Sequence, residues 1–357
     1  MLIQGAVLEE MGREFPYSQS KPLTISQIEL SDPRETEILV RIETAGICHS
    51  DLAVVQGVRP RPTPMLLGHE AAGIIEKVGS RVPNLKLGER VVMTFAPRCG
   101  GCKGCDSNGK FSCINGTTSN SVGDLLSGGS RISRDQSPLF HHLGVSAFAT
   151  HAVVDYRSVV QVSLEVPSSI AALLGCAVLT GGGALLNAVK VEPGQSIAVV
   201  GLGGVGMAGL ITALALSKGA VYGVDPNPER RATALELGAT SVFDLQTAIS
   251  EKLQADIVLE AAGVSKAFEL SLSILAPGGT VVSVGLPAPT DLASISPLSL
   301  VAQGKTIVGS YLGSCVASRD IPIFVDLWKS GKLPIESLVS STISLDDINI
   351  GMDRLAS

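Results

Sequence analysis

Cysteine and histidine supply most of the chemistry that this sequence can do beyond packing, and the densest set is Cys99-Gly-Gly-Cys102-Lys-Gly-Cys105, with Cys113 shortly after. Thiolates at this spacing close a tetrahedral Zn²⁺ site. Four thiolates around one divalent ion leave no open position, so such a centre braces a loop and cannot polarise a substrate. An iron–sulfur cluster uses related spacings and is the alternative. A zinc module for nucleic acid would need basic neighbours, and only Arg98, Lys103 and Lys110 are near. An odd count of 7 cysteines fits a disulfide scaffold poorly in a chain of 357 residues and points to a reducing compartment, the cytoplasm.

A second set is scattered: Cys48 in Gly46-Ile-Cys-His-Ser-Asp51, His69 in Gly68-His-Glu70, and Cys176 in Gly175-Cys-Ala-Val-Leu-Thr180. Spacing does not show whether these three meet, and taken singly each reads as a core residue. The third constellation is Gly201-Leu202-Gly203-Gly-Val205-Gly206. An apolar run precedes it, an apolar helical run follows, and Asp225 closes the next apolar run. Strand, glycine turn, helix and acid in this order form the dinucleotide fingerprint, in which a helix N-terminus receives the pyrophosphate. A carboxylate at Asp225 accepts hydrogen bonds from ribose hydroxyls and repels a 2′-phosphate, which favours NAD over NADP. Arg230 and Arg231 are the basic groups that a phosphate would use instead.

The elements that must position these groups change character near Pro167. Before it, 36–43 alternate apolar and charged residues as a half-buried strand does, and 71–78 and 90–95 read as further short strands. The stretch 119–138 is rich in Ser, Gly and Asp and reads as a surface loop with no core of its own. Ser168 and Ser169 are candidate caps for a helix opening at Ile170. From Ser196 onward, apolar runs at 197–200, 221–224, 257–259 and 281–284 alternate with helical runs at 205–216, 229–237 and 267–275, the pattern of a parallel sheet covered on both faces. The uncharged run 197–216 is long enough to cross a membrane, but the glycines at 201, 203 and 206 divide it into a strand and a helix. The N-terminus shows no secretory leader.

Length suggests two domains, and 45% hydrophobic against 17% charged residues excludes a disordered chain. A net charge of −6 argues against nucleic acid as a partner.

Taken together, Cys48-His-Ser50-Asp51, Gly68-His-Glu-Ala-Ala-Gly73, the four-cysteine lobe, Gly175-Cys176 and the glycine turn resemble the zinc-dependent medium-chain alcohol dehydrogenases along essentially the whole chain. The resemblance implies an α/β protein: a β-rich GroES-like catalytic domain over 1–177 and 320–357, and a doubly wound Rossmann domain over 178–319. It implies two zinc ions per chain. One would be catalytic on Cys48, His69 and Cys176, the two-cysteine, one-histidine set with an open position that is a general rule for alcohol dehydrogenases. The other would be structural on Cys99, Cys102, Cys105 and Cys113. Ser50 would start the proton relay, Asp51 would orient His69, and Glu70 would stand beside the metal. Cofactor contacts would come from His49, Thr180, Gly201, Leu202, Gly203, Val205, Gly206, Asp225, Arg230 and Val284. The implied activity is reversible hydride transfer between an alcohol and NAD in a homodimer or homotetramer. The alcohol would be primary, and aromatic or medium-sized, since Phe95, Thr118, His142, Leu143, Leu286 and Tyr311 align with pocket-lining positions.

Three departures stand out. Ala53 replaces the histidine that many members use to pass the proton to solvent. Arg59 and Thr117 argue against the glutathione–formaldehyde adduct as substrate. The chain stops at Leu355-Ala-Ser357, before the segment in which members carry an arginine for the pyrophosphate, so either the chain continues or cofactor affinity is weaker. A polyol dehydrogenase commonly has a carboxylate where Cys176 stands, and a metal-free reductase would lack the Cys48/His69 pair. His141 and His151 read as ordinary core or surface histidines, and Cys315 as a buried thiol without a role.

Overall fold

The computed structural model describes residues 1–357 as two units. The first comprises Met1–Ser107, Ser112–Cys176 and Val339–Ser357; the second comprises Asn108–Phe111 and Ala177–Leu338.

Strands of the first unit are β1 (Leu2–Leu8), β2 (Leu23–Leu30), β3 (Glu37–Ala45), β4 (Met65–Leu66), β5 (Ala71–Val78), β6 (Arg90–Met93), β7 (Ile132–Arg134), β8 (Ser137–Pro138), β9 (Phe140–His141), β10 (His151–Asp155) and β11 (Val159–Val162). They form one sheet in the order β8-β7-β2-β1-β4-β9 and another in the order β10-β3-β5-β6-β11. Successive side chains of a strand point to opposite faces. Ile38 and Val40 therefore pack with Ile75, Val91 and Met93, while Leu39 packs with Leu30, Ile132 and Val153. The first half of β3 is thus buried on both faces, not on one as its charge alternation predicts. Glu37 is fully buried, because Arg131 reaches it.

In the second unit, β12 (Ile197–Val200), β13 (Val221–Val224), β14 (Ser241–Phe243), β15 (Ala255–Glu260), β16 (Leu275–Ser283) and β17 (Thr306–Gly309) form a single parallel sheet. The order β14-β13-β12-β15-β16-β17 is that of the doubly wound dinucleotide fold. Ile197 and Val199 pack into one apolar cluster and Ala198 and Val200 into another, which is why this strand has no polar face. No helix is long and apolar enough to cross a membrane.

Three expectations need correction. Residues 119–138 are not a coreless loop. A helix spans Ile114–Val122, β7 pairs with β2, and Leu125, Ile132 and Leu139 are buried beside Ile28 and Leu30. These apolar residues fall in pieces too short, within a mostly polar stretch, for a strand or helix period to show. Arg131 of this segment sends Nε and Nη2 to the two Glu37 carboxylate oxygens at 2.8 and 2.5 Å. Second, the helix Ser168–Leu173 begins after Pro167 with no side-chain cap, and the Ser168 hydroxyl instead pairs with that of Thr44 at 2.9 Å. Third, the chain returns to the first unit at Val339 rather than at 320. The helix Ala317–Lys329 keeps the intervening residues with the second unit, because Phe324 is fully buried against Gly182.

His141 is held beside Arg131. Its Nε2 accepts the Arg131 backbone N–H at 3.1 Å and its Nδ1 faces the Ser146 hydroxyl at 3.2 Å. Burial, helped by the Arg131 charge, pushes this imidazole down to about 3. A folded-state value below that of the unfolded chain, about 6.5, means that the neutral ring's contribution is complete above pH ~6.5 and is lost as pH falls toward 3, by up to about 1.4 kcal/mol per pH unit. His141→Gln keeps an acceptor for Arg131 but cannot titrate, so denaturant unfolding between pH 7 and pH 4 (about the window set by those two values) should show a shallower loss of stability than wild type. Arg131→Met strands the Glu37 carboxylate in the core and should cost about 3–5 kcal/mol in the same assay.

Candidate metal and dinucleotide sites

Cys48 and Asp51 come from the end of β3 and the helix His49–Val55. Asp51, at the third position of that helix, accepts the Cys48 backbone N–H on Oδ2 at 3.1 Å. The helix is braced from outside by Ile348 and Met352 of the C-terminal helix Ile348–Ala356, which pack with Leu52 and Val55. His69 follows Gly68, whose φ of +93° and 2.5 Å approach of a would-be Cβ to the Phe148 nitrogen admit only glycine. Cys176 ends the first unit, after the helix Ser168–Leu173.

These distant residues converge: one ligand atom each from Cys48, His69 and Cys176 lies within 4.8 Å of the other two. His69 Nε2 is buried without a hydrogen-bond partner, and its Nδ1 lies 2.9 Å from Asp51 Oδ1. A fully buried nitrogen left bare beside two sulfurs is what a metal ligand looks like before the ion is counted, so the trio fits a tetrahedral divalent ion with one position to spare. The electrostatics agree. A hydrogen bond from Cys176 holds the Cys48 thiol well below its ordinary value, and that bond together with burial pushes Cys176 well up. Burial opposes charge on His69, but the Asp51 carboxylate overrides it and raises the ring. Burial likewise opposes the charge of Asp51, and the two imidazoles beside it keep it ionised. Protons shared in this way are those a cation would displace.

The second imidazole is His142, which the sequence marked only as a pocket-lining position. Its Nδ1 lies 3.2 Å from Asp51 Oδ1 and its ring stands edge-on to His69, as Phe95 does from another side. No local pattern separates it from His141. Ser50 is half-buried beside Cys48, His49 is exposed, and Glu70 is buried with its side chain where a Cβ on Gly46 would fall. His151 takes an ordinary place 3.3 Å from Glu76, and Cys315 is buried against the Leu179 carbonyl.

The sulfurs of Cys99, Cys102, Cys105 and Cys113 also lie within 4.8 Å of one another. Their closest approaches, 3.7 and 3.8 Å, are far beyond a disulfide of about 2.05 Å. Backbone N–H groups of Cys99, Gly100, Ile114 and Gly116 donate to these sulfurs at 3.3–3.4 Å. Backbone donors bring Cys102 down to about 6, while burial pushes Cys105 up to about 12. Arg98 clamps the loop through the Gly104 and Cys105 carbonyls.

In the second unit, β12 runs into the turn and the helix Gly204–Leu216, whose N-terminus has no side-chain cap. Gly206 is sterically required, since a Cβ there would stand 1.7 Å from the Gly201 carbonyl. Gly203 is different: a Cβ would meet nothing within 4 Å, so a smooth backbone cradle is open at the helix N-terminus. Asp225 is buried at the end of β13 and accepts the backbone N–H of Leu202 and of Asn227 at 2.7 and 2.8 Å, tying the turn to the strand. Arg231 is spent on the Asp225 and Pro226 carbonyls, and exposed Arg230 lies 3.8 Å from the Asp225 carboxylate. Thr180 and Val284 are buried and Val205 partly so. Glu260 belongs to no motif in the sequence. It ends β15 buried, accepts from Ala262 and Gly263 N–H and from the Ser283 hydroxyl, and so pins the ends of β15 and β16. An acid closing an apolar run was its only signal.

A β-rich unit in which two cysteines and a histidine meet, together with a doubly wound dinucleotide fold in the same chain, is the architecture of the metal-dependent dehydrogenases. Residues 34–164 match the alcohol dehydrogenase GroES-like domain, and 204–330 match the zinc-binding dehydrogenase domain. Among solved structures, an alcohol dehydrogenase zinc-binding domain protein from Burkholderia ambifaria is 32% identical with a TM-score of 0.91, over 100% of this chain and 96% of that one. Benzyl alcohol dehydrogenase from Acinetobacter calcoaceticus is 30% identical with a TM-score of 0.90, over 100% and 97%. Alcohol dehydrogenase TADH from Thermus sp. ATN1 is 26% identical with a TM-score of 0.78, over 99% and 96%. The chain belongs to the zinc-dependent medium-chain alcohol dehydrogenase family.

The two glycines make a discriminating pair. Gly206→Ala should lower the unfolding midpoint sharply, whereas Gly203→Ala should stay within about 0.5 kcal/mol of wild type, as measured by thermal and denaturant unfolding.

Proposed function

We propose that the protein is an NAD-dependent zinc alcohol dehydrogenase that moves a hydride reversibly between a primary alcohol and the nicotinamide, with the aldehyde as the other product. The observation that carries this is the buried meeting of Cys48, His69 Nε2 and Cys176, three ligands where a closed structural site has four. Zinc held there supplies Lewis acidity toward an alcohol or carbonyl oxygen. The four-cysteine lobe would hold a second ion, without an open position, as a brace.

The chain's own groups divide the remaining work. Asp51 holds His69 by Nδ1 and so leaves Nε2 for the metal. Ser50 would accept the alcohol proton as its own hydroxyl proton passes on, and Ala53, in place of a relay histidine, offers no side chain to carry it further. Glu70 stands beside the ligand set. In the second unit, the bare turn at Gly203 and the N-terminus of the helix after it receive the pyrophosphate. Thr180, Val205 and Val284 would border the nicotinamide of a bound cofactor, and the resemblance assigns His49 to its phosphates. Asp225, buried at the end of its strand, would accept the adenosine ribose hydroxyls and disfavour a 2′-phosphate; the commitment of Arg231 to backbone carbonyls supports NAD over NADP.

Phe95 beside His69 offers an apolar surface near the metal pocket, which together with the benzyl alcohol dehydrogenase likeness favours an aromatic or medium-sized alcohol. Leu292, Leu298 and Val301 are 83%, 78% and 79% exposed, and large apolar side chains left in water are in keeping with a homodimer or homotetramer. Unpaired thiols throughout fit the cytoplasm.

An alcohol panel assayed with NAD⁺ and NADP⁺, alongside metal analysis, tests the reading. Wild type should oxidise benzylic and medium-chain primary alcohols with NAD⁺. Cys48→Ser should lose one metal ion and essentially all turnover. Gly203→Ala, still folded, should bind NADH at least tenfold more weakly, about 1.4 kcal/mol. Turnover by metal-free Cys48→Ser, or preference for NADP⁺, would overturn it.

A further inference from the structure

Two histidines stand side by side at 141 and 142, and their rings part. His141 turns to Arg131 and Ser146. His142 turns the other way, fully buried, and packs edge-on against His69 with ring centroids 5.5 Å apart at 86°. Its Nδ1 lies 3.2 Å from Asp51 Oδ1, the oxygen that also takes His69 Nδ1 at 2.9 Å. His142 Nδ1 has no aligned hydrogen-bond partner, so this oxygen is the polar atom it addresses. A ring lone pair held so near a carboxylate oxygen in a dry site would be repelled, so Nδ1 carries the proton.

The ring is mounted firmly. The His142 backbone N–H donates to the Ser146 hydroxyl at 2.9 Å, and that hydroxyl donates to the Leu66 carbonyl at 2.9 Å. Val145 N–H returns to the His142 carbonyl at 3.1 Å. Leu143 and Ser146 take φ of +53° and +55°, a region that side chains disfavour and that persists where surroundings impose it. A loop this constrained, two residues from an unexceptional His141–Arg131 contact, places one imidazole against one carboxylate.

We propose that His142 is a positioning residue of the metal centre: as a second imidazole on Asp51 Oδ1, it fixes the carboxylate, and through it the His69 ring, in the orientation that presents Nε2 to Cys48 and Cys176. The inference rests on the reading of that trio as a metal site. Asp51 has two oxygens with different duties, Oδ2 for the Cys48 N–H and Oδ1 for His69. With both imidazoles on Oδ1 the two oxygens are no longer interchangeable, and rotation of the carboxylate breaks contacts on both sides. Removal of His142 leaves Oδ1 with one partner and the His69 ring without one of its two edge-on neighbours, so Nε2 is presented less faithfully.

The test is metal affinity, read without turnover. Wild type, His142→Leu, His142→Asn and His142→Gln are loaded with zinc and titrated with a chromophoric chelator; a parallel cobalt-loaded set is read by visible absorption. His142→Leu should surrender one ion with roughly 10–100-fold lower affinity, the usual effect of losing a group that orients a metal-binding histidine. The ion of the four-cysteine lobe should stay at wild-type affinity, which also certifies the fold. Asparagine places an amide N–H where Nδ1 stood and should restore most of the affinity and the cobalt spectrum; glutamine, whose amide falls at the Nε2 position, should not. Wild-type affinity in His142→Leu, or equal loss in all three variants, overturns the proposal and leaves packing alone. A wild-type protein whose metal content is unchanged by Cys48→Ser overturns the underlying metal reading instead, and is recognised before any His142 variant is made.

Discussion

The Asp51 carboxylate is the hinge of the cluster formed by Cys48, His69 and Cys176. It is fully buried, where an isolated charge would be prohibitively costly, and it persists because every side of it is engaged: the Cys48 N–H on one oxygen, two imidazoles on the other. Its place in the first turn of the helix His49–Val55 adds the favourable end of a helix dipole. One side chain thereby joins the backbone of one ligand to the ring of another. The helix braced by Ile348 and Met352, the glycine before His69 and the turn after His142 all serve to keep that carboxylate where it is.

The nucleotide-binding unit solves a different problem. A phosphate group needs donors and no obstruction, and the bare turn at Gly203 with its uncapped helix N-terminus offers both from backbone alone. Around this empty space the packing is tight. Gly206 sits against the Gly201 carbonyl, Asp225 holds Leu202, and Glu260 pins the neighbouring strand ends. Both carboxylates are buried and spend hydrogen bonds on backbone N–H groups, which fixes loop shape without adding bulk where a ligand would lie. The contrast with the metal pocket is one of materials, side chains in one and main chain in the other.

Local pattern was informative wherever the physics is local. The parallel sheet was legible because fully buried strands must be apolar on both faces, and the glycine turn because its strand, helix and acid are neighbours in sequence. The four-cysteine lobe was legible for the same reason. The 119–138 segment looks like a loop in the sequence because Leu125, Ile132 and Leu139 enter the core at separate points, and because Arg131 finds its partner, Glu37, in a distant strand. Ser168 looked like a helix cap, yet its hydroxyl is claimed by Thr44 of β3.

The amino-acid order was enough for the α/β architecture, the strand–glycine–helix–acid fingerprint and the clustering of the four cysteines, since each depends on residues within one or two elements. Resemblance to a family could nominate Cys48, His69 and Cys176 but could not bring them together. That convergence, the burial of Glu37 and the assignment of His142 rather than His141 to Asp51 were decided by the fold, because contacts between remote strands and turns follow from the packing of the whole unit and leave no periodic trace in the chain.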